Sequence, residues 1–104
     1  MYQKLVRDKI PEIIKSNGQN PITRILSDEE YKFELEKKLN EEYQEVLNAT
    51  GENRLEELAD MLEVMIYLAK IEGKDLQDII EICRKKHDKR GGFEEKIYLE
   101  DVEE

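Results

Sequence analysis

The 104-residue chain has no Trp, two Phe and five Tyr, so aromatics contribute only 7% and Leu, Ile, Val and Met must build any core. A single cysteine, Cys83, excludes an internal disulfide and fits a reducing compartment. Two Pro and five Gly leave no Pro/Gly-rich linker, and without repeats or low-complexity tracts residues 1–104 read as one domain. At this length roughly 60 to 70% of the unfolded surface is buried on folding, enough for one core. No run approaches the roughly 18 apolar residues of a membrane span, and Met1 to Lys9 lacks the apolar centre of a signal peptide, so a cytoplasmic protein without a membrane partner is expected. Basic residues are outnumbered 17 to 26, for a net charge of -9, which argues against affinity for a nucleic-acid polymer.

What is present is helical. Pro11 suits a first helical position and Asn17-Gly18 a stop, giving a short helix over 11–16. Ser27 followed by Glu30 has the capping-box spacing, so a long helix should run from there to about Ala49. Thr50-Gly51-Glu52-Asn53 interrupts the pattern, and a second long helix is expected from Arg54 to about Glu72, ended by Gly73. A third runs from about Asp75 to Lys89, with Leu76, Ile79, Ile80, Cys83 and His87 on one face and Gly91-Gly92 as the stop. The expected fold is an all-α antiparallel helical bundle. It leaves room for a small two-stranded accessory, since Ile22 to Leu26 and Lys96 to Leu99 have strand character.

Helical wheels then separate the acids by position. On the first long helix Leu35, Leu39, Tyr43, Val46 and Ala49 draw the apolar arc; Glu42 falls inside it and Glu45 at its margin, while Glu34 and Glu41 fall on the polar side. On the next helix Glu56, Glu63 and Lys70 form the solvent stripe, and Glu57 and Asp60 project from the apolar remainder. Carboxylates aimed at a buried space require compensation, because unpaired burial of the charge costs several kcal/mol. Two i, i+3 pairs on an antiparallel hairpin bring Glu42, Glu45, Glu57 and Asp60 to one place. An all-oxygen ligand set selects a hard cation, Mg²⁺ or Mn²⁺, which keeps water and binds substrate phosphates. The bland reading, acids paired with Lys or Arg of neighbouring helices or with a partner, is favoured for one such pair but not for two on consecutive helices.

Glu41-Glu42-Tyr43-Gln44-Glu45 followed by Glu57-Leu58-Ala59-Asp60 resembles the E-E-x-x-E and E-x-x-D signature of the MazG-like all-α nucleoside triphosphate pyrophosphatases. Lys4-Leu5-Val6-Arg7-Asp8-Lys9-Ile10-Pro11 and Arg90-Gly91-Gly92-Phe93 look like the two ends of a small branch labelled phosphoribosyl-ATP pyrophosphohydrolase-like. The resemblance implies that the residues at Glu42, Glu45, Glu57 and Asp60 hold Mg²⁺ while water splits the α-β phosphate bond of a nucleotide, releasing monophosphate and pyrophosphate. It implies catalytic roles for Glu41, Glu42 and Glu45; the polar-side position of Glu41 on the wheel makes it the weaker ligand, a group behind the ligands or a helper in positioning water. It also implies a homodimer or homotetramer. The substrate is either a nucleoside triphosphate, including non-standard ones, or phosphoribosyl-ATP, and fold and motif do not choose between them.

Arg7 and Lys9, with Lys4 further back, lie in a segment read as non-helical and free to reach phosphates; a surface ion-pair cluster with Asp8 is the competing reading. Arg90, before two glycines that allow close backbone approach, is the choice from the basic run at the end of the third helix. Cys83 and His87 read as core or interface packing rather than as metal ligands or a nucleophile. Tyr43 and Tyr67 point to the carboxylate faces, where they pack or stack on a base. Asp101, Glu103 and Glu104 read as a solvated tail. The alternative from another class is a helical interaction module whose acidic surface, on Glu56 and Glu63, meets a basic protein.

Overall fold

A computed structural model describes residues 3–103, so Glu104 and the first two residues lie outside the described residues. Four helices follow in order: α1 (Ile10–Ser16), α2 (Asp28–Asn48), α3 (Gly51–Ile71) and α4 (Leu76–Arg90). Their ends follow from local chemistry. Ser27 caps α2 reciprocally, its hydroxyl accepting from the Glu30 N–H at 3.2 Å while the Glu30 carboxylate accepts from the Ser27 N–H at 3.1 Å. Asp75 and Asp78 form the same box at the start of α4. Gly73, with φ of 78°, ends α3: its N–H donates to the Lys70 carbonyl, and the Lys74 and Glu72 N–H groups both donate to the Ala69 carbonyl, so the last-turn acceptors are satisfied.

The break between the long helices is shorter than the sequence suggests. Only Ala49 and Thr50 lie outside, because Gly51 takes φ of 57°, turns the chain and lets α3 begin there instead of at Arg54. A two-residue connection makes α2 and α3 an antiparallel hairpin. The buried apolar residues, Leu35 and Val46 of α2 with Val64 and Ala69 of α3, all lie on it. Leu76 and Ile79 of α4 lie beside Leu62, Met65 and Ile66 of α3. No helix among the described residues is long and apolar enough to cross a membrane.

No strand forms among the described residues, so the two-stranded accessory is corrected. Ile22 and Ile25 are 96% and 95% exposed, and Arg24 is turned onto Glu30, donating to both carboxylate oxygens at 3.2 and 2.8 Å. In the other segment Lys96 has φ of 59°, which interrupts an extended backbone. Cys83 and His87 are exposed, so neither is packed in the core of this chain. The accessible surface is 9877 Å², against roughly 6,100 Å² for a compact monomer of 12.4 kDa. The radius of gyration, 18.3 Å, likewise exceeds the roughly 13 Å typical of this length.

Candidate metal centre

The hairpin brings three of the four expected carboxylates together. Glu42 of α2 and Glu57 and Asp60 of α3 are half-buried, and one oxygen of each lies within 4.8 Å of the others. Glu42 faces α3 because it continues the row Tyr31, Glu34, Lys38 on α2, which lie three, two and one turns before it. Glu57 and Asp60 meet it because i, i+3 spacing on α3 places both on the side facing α2. Glu45 is exposed and stands at the edge of this group, yet its charge still acts on Glu57. Glu41 is exposed on the outer side of α2, where the wheel places it.

Charge within the group is unevenly compensated. The Arg7 guanidinium, from the segment before α1, donates to Asp60 Oδ1 at 2.8 Å and lies 3.8 Å from Glu63 Oε2. Lys38 Nζ lies 3.9 Å from Glu42 Oε1, and these two side chains are only 24% and 15% exposed. Glu57 has no cationic partner within salt-bridge distance among the described residues. Its carboxyl is raised above the ordinary value, first by partial burial, then by the charges of Asp60, Glu45 and Glu42 and a hydrogen bond with Glu42. The cluster therefore carries negative charge that the surrounding side chains do not neutralise.

The basic residues expected at the site are dispersed. Arg7 reaches the acids; Lys4 is exposed on the same segment, Lys9 is the N-cap residue of α1, and Arg90 ends α4 without an ion pair to the acidic group. Glu63 and Glu34, placed on solvent stripes by the wheel, are half-buried. Arg7 lies against Glu63, and Glu34 belongs to the i, i+3/i+4 row of Tyr31, Lys38 and Glu42 at the interface margin. Glu56 is exposed as expected. Tyr43 is 45% exposed, outside the apolar arc assigned to it, whereas Tyr67 is half-buried. Lys38 and Tyr31 were not singled out by sequence. Their i, i+4 and i, i+11 relation to Glu42 is the signal that finds them.

No family model and no solved structure matches the chain. An uncharacterized protein of Mycolicibacterium smegmatis (strain ATCC 700084 / mc(2)155) is 51% identical over 43 residues, 41% of this chain and 44% of that protein. The chain thus matches less than half the length of that relative.

Proposed function

We propose that this chain is a Mg²⁺-dependent nucleotide pyrophosphohydrolase of the MazG-like kind, cleaving the α-β bond of a nucleoside triphosphate, non-standard ones included, to monophosphate and pyrophosphate. The observation that carries the reading is the meeting of Glu42, Glu57 and Asp60 oxygens within 4.8 Å across two helices. They occupy the positions that the E-E-x-x-E and E-x-x-D resemblance marks. An all-oxygen donor set with uncompensated negative charge fits Mg²⁺, with Mn²⁺ as its near substitute. When bound, the ion would neutralise phosphate charge and polarise the attacking water.

In this reading Glu42, Glu57 and Asp60 would hold the ion, with Glu45 at the edge of the site from the next turn of α2. Glu45, at the edge of the group, would accept the proton of the water whose oxygen bonds to phosphorus as pyrophosphate leaves; Glu41, on the outer side of α2, is not placed for that role within one chain. Arg7 exchanges Asp60 for the phosphates, offering a planar fork, while Lys4, Lys9 and Arg90 attract the anionic substrate. A homodimer or homotetramer belongs to the same proposal, as does a cytoplasmic setting. Leu55, Leu58, Leu62 and Met65 form an exposed apolar row on α3, the kind of contiguous patch that serves as an interaction surface.

The test is pyrophosphate release from a panel of nucleoside triphosphates plus phosphoribosyl-ATP, with Mg²⁺ and with chelator. Chelator-sensitive release with monophosphate as coproduct is expected. Silence across the panel, with Mg²⁺ leaving the melting temperature unchanged, would favour the helical interaction module.

A further inference from the structure

Beyond the acids, the open end of the hairpin holds a cleft of about 430 Å³ lined by Asp28, Tyr31, Tyr67, Lys70 and Ile71. That volume lies in the range of small-ligand sites. Two aromatic rings enter it from opposite helices, which is notable in a chain with so few. Lys70 Nζ lies 4.6 Å from the Tyr67 ring centroid, which puts a donor at the rim beside that ring. Asp28 supplies an acceptor. The Tyr31 hydroxyl is raised above its ordinary pKa by partial burial, then by Tyr67 and by Asp8; Arg7, 3.8 Å from Glu63 one turn before Tyr67, brings its segment towards the same end of α3. Tyr67 is on the face of α3 that carries Asp60 and Glu63, and two helical turns, about 10 Å, separate it from Asp60. That separation is comparable with the span from the phosphates of an extended nucleotide to its base.

We infer that the Tyr31 and Tyr67 cleft is the nucleobase subsite, with the base against the tyrosine rings, its polar edge read by Asp28 and Lys70, and the phosphates directed along α3 to Arg7 and the acids. This rests on the nucleotide reading above. Stacking on an aromatic ring is sequence-tolerant, so the rings hold any base; Asp28 accepts from an amino or imino N–H, and Lys70 donates to a carbonyl or ring nitrogen.

Inorganic tripolyphosphate, which has phosphates and no base, separates the two ideas. KM for the nucleotide that wild type turns over best, and inhibition of that turnover by tripolyphosphate, are measured with Mg²⁺ for wild type and for Tyr67→Leu, Tyr67→Phe, Tyr31→Leu and Asp28→Asn. Both Leu variants should raise nucleotide KM roughly tenfold, as loss of one stacking ring does, with tripolyphosphate inhibition unchanged. Tyr67→Phe should retain binding, and Asp28→Asn should alter the ranking of bases. Unchanged nucleotide KM in both Leu variants, or equal weakening of nucleotide and tripolyphosphate, would overturn the subsite. Should a Leu variant fail to fold, an unaltered base ranking in folded Asp28→Asn would overturn it too. A wild-type protein inactive on every nucleotide would instead remove the reading on which the subsite rests.

Discussion

Every buried apolar residue among the described residues lies between Asp28 and Ile71, whereas residues 19–27 and 91–103 hold Ile22, Ile25, Phe93, Ile97 and Tyr98 almost wholly in solvent. The hairpin supplies its own packing partner through a two-residue connection. The flanking segments carry apolar residues with nothing on the same chain to cover them. The difference separates what one chain packs for itself from what it leaves exposed. One chain gathers the acids, while the outer row of α3 and the flanks have the composition of surfaces covered by association.

The sharpest test compares two neighbours on α3. Glu57→Gln should abolish Mg²⁺-dependent pyrophosphate release, a loss of at least about a hundredfold if it is a metal ligand, while exposed Glu56→Gln should change turnover little. Glu57→Gln should also raise the metal-free melting temperature, because it removes a charge disfavoured by burial and by three acids. Equal losses in both variants would erase the distinction between the inner and outer faces.

Next, Leu58→Glu with Leu62→Glu places charge on the exposed apolar row and should convert an oligomer to monomer in sedimentation or light scattering. An unchanged mass would mean that the row is covered by something other than a second copy. A smaller effect tests the hairpin's own ends: Ser27→Ala removes the cap of α2 and should cost about 1 kcal/mol, read as a drop of several degrees in melting temperature. Smallest is the acid limb. Hydrogen bonds from Arg24, then from the Ser27 N–H and hydroxyl, lower the Glu30 carboxyl from 4.5 to about 2. Stability from this group is fully present above pH 4.5 and is lost as pH falls towards 2, and Glu30→Gln should flatten that part of the stability profile.

The fold was legible where periodicity and caps coincide. Ser27, Glu30 and Gly73 marked helix ends that the structure reproduces, and the wheel found Glu42, Glu57 and Asp60 because a carboxylate among Leu and Val is conspicuous. It lost resolution at stripe margins. Glu63 and Glu34 change environment through Arg7 and a neighbouring row, contacts that single-helix geometry omits. The strand reading of residues 22–26 and 96–99 failed because β character has meaning only beside a partner strand, and these segments have none on this chain. Tyr31 escaped notice since its importance comes from Tyr67, distant in sequence and opposite in space.

The two-residue link at Ala49 and Thr50 also bears on kinetics. All three clustered acids fall within one local hairpin, so the closure that nucleates packing is the closure that forces like charges together. Short-range topology favours rapid folding, while closing this hairpin brings the Glu42, Glu57 and Asp60 oxygens within 4.8 Å, a repulsion that opposes that closure. If these acids hold the proposed divalent cation, adding it should accelerate refolding as well as slow unfolding, and equal rates with Mg²⁺ and with chelator would remove that link.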